Sequence, residues 1–281
     1  MIATIERHLK LYFNQKAGVF FSLLGALIAF ILYLVFLQHN LEISWKESLP
    51  HPTKYLDLWV MGGVLAVTAI TTSWAALSRI VTDKEESIWD DFLLTDVSPV
   101  SLNLGYFLSG TIISFIMQLV VLSIMALYFQ IQDQVIFDTS LLPQLALVAF
   151  LGALQSSLFA TIVLQFIGTK EVESRVSTII GTASGFLVGV YMPIGVLPDA
   201  AQTLVKLTPG AYIASLYRQI LLKSSLADLG KGQAYFKEFM GIGIKLKTLS
   251  NLNQDYQLVL LTIGILLVIM VLVVFFKSRQ K

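Results

Sequence analysis

The chain has 281 residues, of which 56% are apolar and 13% charged, and its net charge is +1. A charge this small supplies no bulk field for nucleic acid or an acidic ligand. The absence of cysteine excludes disulfides, thiolate catalysis and cysteine zinc sites.

Mean hydropathy is +0.77, and the apolar residues are gathered into long runs. Residues 258–276 alone are long enough for a hydrocarbon core, which takes about 20 helical residues. In lipid an unpaired backbone group is costly, so such runs must be helices rather than open strands. The sequence therefore predicts an all-α polytopic membrane protein, with residues 1–281 forming a single transmembrane domain. Residues 1–16 read as an interfacial helix rather than a cleaved signal. Ile2, Ile5, Leu9, Tyr12 and Phe13 recur on one face, and Glu6, Arg7, Lys10 and Asn14 take the other.

Six transmembrane helices follow from the apolar pattern: residues 19–37, 58–80, 102–129, 141–167, 176–191 and 258–276. Basic residues orient them. Arg7, Lys10 and Lys16 precede the first span, and Arg79 and Lys84 follow the second. Lys170 and Arg175 separate the fourth from the fifth, and Lys277, Arg279 and Lys281 follow the sixth. The positive-inside rule places both termini in the cytoplasm.

The cytoplasmic loop 81–100 is strongly acidic, with Asp83, Glu85, Glu86, Asp90, Asp91 and Asp96, yet Ile88, Trp89, Phe92, Leu93 and Leu94 interrupt the charges. This spacing gives a short helix one apolar face, and Pro99 closes it by holding Ser98 extended. Docking onto a partner suits an apolar face with an acidic rim; packing on the membrane surface is the simpler alternative, which anionic headgroups would oppose.

In the fifth span Gly181, Gly185 and Gly189 fall four apart, a stripe that lets two helices approach closely. Pro193 marks a kink or helix end. The run Pro193, Ile194, Gly195, Val196, Leu197, Pro198 resists regular helix, which at membrane depth is tolerated inside protein or beside a water-filled cavity. It is either a short re-entrant element forming an external gate or an ordinary turn. Thr208 and Pro209 open a further helix as N-cap and first residue. That helix carries the apolar stripe Ile213, Leu216, Tyr217, Ile220 and Leu221, and is expected to lie on the outer face. Residues 225–256 complete an external segment, 192–257, as a cap or lid.

Several chemistries are missing. Gly230-Lys231 is followed by Gly232, so no nucleotide-binding loop is formed. His8, His39 and His51 show no metal-ligand spacing, and no metal site is expected. The middles of the spans carry no ionisable group, which an ion-coupled carrier needs. Thr71, Thr72, Thr178 and Thr182 are among the neutral polar residues there. They either line a translocation path or bond helix to helix.

The pattern resembles the membrane (permease) subunits of ABC transporters of the type-2 exporter class. The stretch from Asp91, Phe92 and Leu93 through Asp96 and Pro99 to Leu104, Gly105 and Tyr106 looks like that family's coupling helix and third span. Pro193 to Pro198, then Pro209, then Tyr217 and Arg218, looks like its fifth-span exit, re-entrant element and external helix. The resemblance implies a multi-pass protein of the cell membrane, paired with a second permease copy and with two cytoplasmic ABC ATPase subunits. ATP and Mg would be held by those partners and no cofactor by this chain, which is not itself an enzyme. Glu85, Glu86, Trp89, Asp90, Asp91, Phe92 and Leu93 would couple to the ATPase, and the substrate would be a drug, antimicrobial peptide or lipid-like molecule. A stand-alone secondary carrier and a non-transporting immunity or assembly protein are the competing readings.

Overall fold

Every long element in the computed structural model is helical. It describes all residues except 47–48, 50, 96, 228, 230–232 and 280–281, and for 278 and 279 the backbone alone. Asp96 of the acidic loop, the Gly230–Lys231–Gly232 run and Lys281 thus lie outside the described residues.

The expected interfacial helix is α1 (Ile2–Asn14). Its inward face is polar: Thr4 and His8, one turn apart, are its buried residues. The first apolar passage is built from α2 (Lys16–Ser22), α3 (Leu24–Leu32), a π-helical turn (Tyr33–Leu37) and α4 (Gln38–Trp45). π turns mark positions where a side chain is re-aimed, and here the Tyr33 hydroxyl donates to Asp57 Oδ1 at 2.6 Å.

α5 (Pro52–Leu77) opens with proline in its first turn and is apolar on all sides. A helix of that kind belongs in the core, and α5 contacts more partners than any neighbour. Beyond it come α6 (Arg79–Glu85) and α7 (Ile88–Leu93), joined through Ser87 at φ 60°. Pro99 then opens α8 (Pro99–Gln132), capped by the Ser98 hydroxyl, which accepts from the Ser101 amide. At 34 residues α8 runs about 50 Å. The remaining helices are α9 (Leu142–Leu164), α10 (Lys170–Leu187), α11 (Asp199–Leu207), α12 (Pro209–Leu221), α13 (Lys223–Leu226), α14 (Gln233–Met240) and α15 (Leu252–Arg279). α5 is flanked by α3, α8, α9, α10 and α12.

Among the described residues, five helical stretches are long and apolar enough to cross a membrane: Leu24–Trp45, Pro52–Glu85, Pro99–Gln132, Thr139–Leu164 and Leu252–Lys277. Their outer faces carry apolar rows, such as Ile112, Ile116, Val120 and Ile124 on α8. In water a row of that extent would be an association surface; in a bilayer it faces lipid.

The expected fifth span differs. α10 begins with Lys170, Glu171, Glu173 and Arg175 and continues with serines, threonines and glycines, so it is not among the five. Nor does Pro193 end it. The helix closes at Leu187 in a Schellman motif, with Gly189 left-handed at φ +68°. The Gly189 amide donates to Phe186 O at 3.0 Å and the Val190 amide to Gly185 O at 2.9 Å, the two bonds that satisfy the last carbonyls.

The external segment also departs from expectation. α12 does not lie on an outer face; Ala211 to Arg218, Ile220 and Leu221 are all buried, between α5, α9 and α15. The described part of residues 225–256, expected as a cap or lid, packs against the rest of the chain. Phe236, Met240, Ile242 and Ile244 join the core, and Trp59 Nε1 donates to Met240 O at 2.6 Å.

Candidate functional site

α3, α5 and α10 enclose an open groove of about 860 Å³. Glycine sets how closely its walls approach. A Cβ on Gly25 would stand 3.0 Å from Thr71 Cγ2 and 3.6 Å from Gly181 O. Of the four threonines expected on a path, Thr71, Thr178 and Thr182 line this groove. Thr72 does not: it is fully buried and donates to Thr68 O at 2.6 Å, holding its own helix. The hydroxyls of Thr178 and Thr182 donate back to Ser174 O and Thr178 O, whereas Thr71 Oγ1 has no hydrogen-bond partner among the described residues.

One lining residue has no counterpart in the sequence-based expectation. Glu173, in the first turn of α10, is the single charged residue lining the groove among the described residues. Its Oε1 accepts from Trp74 Nε1 at 2.8 Å. The neighbouring charges on α10 are engaged elsewhere, Lys170 with Glu86 and Arg175 with Glu171. Sequence offers only a weak signal for it, an acid near a helix N-terminus, where acids are common for dipole reasons.

The glycine stripe is resolved into three separate roles. Gly181 leaves open space where its Cβ would be. Gly185 is covered by the chain's own Tyr191, whose ring carbons would lie 2.2 Å from a Cβ. Gly189 supplies the left-handed turn and abuts Ile194. Within the chain, then, Gly185 and Gly189 serve the helix end rather than a second helix. The gate segment divides likewise. Ile194 is an inward anchor, 7% exposed and seated against Gly189 and Gly241, while Val196 is 58% exposed. Leu197 is partly buried against the core, and Pro193 and Pro198 bracket a short 3-10 turn, Ile194–Val196.

Beside this segment Arg218 is completely buried. Its Nε donates to Trp59 O at 3.3 Å, Nη1 to Gly241 O at 3.4 Å and Nη2 to Gly189 O at 2.8 Å, and it lies 4.8 Å from the Trp59 ring centroid. No ion pair to it occurs among the described residues. Glycine makes the room: a Cβ on Gly62 or Gly63 would come within 2.9 Å of its side chain. A cation interrupting the apolar stripe of α12 is the sequence signal that could have found it.

The acidic loop turns its apolar side inward. Trp89 is buried and stacked at 5.6 Å on Tyr106, with Lys84 Nζ 5.2 Å from its ring. Arg7 stands 5.2 Å over Phe92, and Phe92 and Leu93 are partly buried in the same cluster. The outward face of α7 therefore consists of Asp90, Asp91 and the following Leu94, which is 87% exposed. Glu85 accepts from the Lys170 amide, and Glu86 pairs with the Lys170 ammonium, so this loop also anchors the start of α10.

Behind α7 lies Asp83, fully buried. It accepts from Arg7 Nη1 at 2.8 Å, Arg79 Nε at 2.7 Å and Tyr106 Oη at 2.6 Å, which ties α1 to α6 and α8. His8 completes the joint, with Nδ1 3.2 Å from Ser109 Oγ, and burial pushes its imidazole down to about 4. Among the described residues no group of three or more His, Asp or Glu side chains is arranged to hold a metal ion.

A family profile described as ABC-2 type transporter matches residues 1–222 of the 281. No curated protein matches the chain.

Proposed function

The chain belongs to the ABC-2 type transporter family, a membrane transport component that is not itself catalytic, and we propose that it is the permease subunit of an ATP-driven exporter. In this reading two cytoplasmic ABC ATPase subunits bind and hydrolyse ATP with Mg, and a second permease copy completes the path. Both termini face the cytoplasm, α10 makes the sixth crossing, and the protein resides in the cell membrane.

The observation that carries the reading is the groove between α3, α5 and α10. It is large, lined by hydroxyls and apolar groups, and not closed by this chain alone. A ligand pocket normally surrounds most of its ligand; this one is half a conduit, and a second copy facing it would close it. The helix that forms its wall, α10, starts on the Glu85–Glu86 loop and ends at the Gly189 turn beside Ile194 and Arg218. Movement of that loop by an ATPase would thus reach both ends of the path through one rigid helix, a two-state rigid-body change.

Docking falls to the outward face of α7, Asp90, Asp91 and Leu94, with Trp89, Phe92 and Leu93 fixing the helix to the membrane domain. Val196 is placed to meet its counterpart across an external gate. The substrate is a drug, antimicrobial peptide or lipid-like amphiphile. The test is co-expression with an ABC ATPase encoded beside it. Co-purification, ATP hydrolysis that depends on this chain, and ATP-dependent export from vesicles are the expected results; a chain that binds no ATPase, or an ATPase whose turnover ignores it, would overturn the reading.

A further inference from the structure

Two features of the groove bear on what it could hold: the carboxylate of Glu173 and the order in which the lining groups occur along α10. Glu173 lies in the first turn of α10 and Phe186 in its last, and 13 residues of helix separate them by about 20 Å. Between them Ser177, Thr178 and Thr182 present hydroxyls. At the far end Phe186 and Tyr191 meet edge to face, 4.9 Å between ring centroids. The near end holds Trp74, whose indole N–H fixes the Glu173 carboxylate.

A carboxylate so placed has two explanations. It complements the positive end of the helix dipole, or it waits for a cation. The first accounts for Glu171 equally well, and Glu171 points to solvent, where Arg175 takes it up. Glu173 instead faces the groove half-buried, without an ionic partner among the described residues, and taking a carboxylate partly out of water is costly unless something compensates it. Trp74 supplies one hydrogen bond, which leaves the charge uncancelled. A bound ligand bearing positive charge would cancel it, with the Trp74 indole N–H holding the carboxylate in place.

We propose that the groove binds amphipathic cations, the positive group at Glu173 and Trp74 and the apolar body extending along α10 toward Phe186 and Tyr191. This names the substrate class of the proposed transport path and rests on that reading.

The test uses the full chain in nanodiscs of zwitterionic lipid, with tetraphenylphosphonium as the cation and triphenylphosphine oxide as a neutral ligand of related shape. The native protein should bind the cation more tightly. Glu173→Gln retains an acceptor for Trp74 while removing the charge, so it should weaken cation binding by about tenfold or more, as loss of a charged partner does. Neutral-ligand binding should change by less than about twofold, within the scatter of an uncharged contact. Glu173→Asp should keep the preference. Equal affinity of the native protein for both ligands, or a preference that survives Glu173→Gln, would overturn the proposal. Loss of both ligands in Glu173→Gln, with Glu173→Asp still failing to discriminate, would overturn it too. Transport is read separately by ligand-stimulated ATP hydrolysis in the ATPase complex. A cation preference without stimulation supports the site and removes only the exporter reading; stimulation by neutral amphiphiles alone removes only the cation.

Discussion

Two buried charges, Asp83 and Arg218, sit near opposite ends of the α5 region and are satisfied in opposite ways. From Trp59, which Arg218 contacts, to Asp83 is about 35 Å of nearly continuous helix. Asp83 is neutralised by side chains from other helices, Arg7 and Arg79 as cations and Tyr106 as a donor. Arg218 is held by main-chain oxygens of α5, the α10 turn and the loop after α14. An ionic joint depends on charge, and so on pH and on each partner's presence. A guanidinium reading three carbonyls depends on backbone geometry, because its planar fork carries donors at fixed directions. The end that joins α1 and α6 is therefore built to be rearranged, and the end beside the Gly189 turn to be rigid.

The largest expected effect breaks the ionic joint. Asp83→Asn leaves Arg7 and Arg79 without their counter-ion, and removing one partner of a buried pair costs about 3–5 kcal/mol. Thermal unfolding in detergent should shift sharply, and a cysteine placed at Thr4 should become open to thiol reagents as α1 lifts. Retention of both native stability and Thr4 protection would show that charge does not hold this end.

Next comes the geometric lock. Arg218→Lys preserves charge but cannot reach three carbonyls, and stranded buried acceptors cost about 1–3 kcal/mol. Arg79→Lys, by contrast, should be nearly silent, since Asp83 requires only a cation there. If the two Lys variants unfold at the same temperature, the contrast between the ends is lost.

A smaller effect follows from His8. Because burial lowers its imidazole to about 4 from an ordinary value of 6.5, the undocked helix takes up a proton before the docked one does. The sign is therefore a stability present above pH 6.5 and lost as pH falls from 6.5 toward 4. Arg7 beside it on α1, Arg79 and Asp83 on α6, and Tyr106 and Ser109 on α8 are the groups it faces. Proteolysis within α1 should accelerate over that window in the native chain, and His8→Asn should flatten the response; an unchanged profile in the variant would assign the acid sensitivity to another group.

The smallest effect on stability belongs to the exposed face of α7. Leu94→Asp should alter the unfolding free energy by less than about 0.5 kcal/mol, as surface changes do, yet abolish co-purification of the ATPase. Trp89→Ala should do the reverse in part, destabilising the domain before it affects docking. Undiminished ATPase capture by Leu94→Asp would move the docking surface off α7.

Much of the architecture was legible because lipid leaves few options. Long apolar runs had to be helices, so the spans at 58–80, 102–129, 141–167 and 258–276 could be placed from hydropathy, and Pro209 marked a helix start through its fixed φ and missing amide. Composition also limited what the spans could carry.

Tertiary structure decided which way the amphipathic pieces faced. The apolar side of α7 looks the same in sequence whether it meets a partner or Tyr106; only the position of α8 turned Trp89 and Phe92 inward and left Leu94 outside. The single apolar stripe on α12 predicted a helix on the outer face, and it was the carbonyls of Trp59, Gly189 and Gly241, brought together from three distant segments, that made burial of its Arg218 tolerable. Glycines four residues apart fit a helix contact by spacing alone, and only the fold shows the left-handed φ of Gly189 and the ring of Tyr191 over Gly185 within the chain. Glu173 became a site residue only when α3 and α5 closed a cavity around it. Periodicity is a property of one helix, whereas orientation, charge compensation and cavities are properties of several at once, and that is why the sequence determined the helices and the packing determined the site.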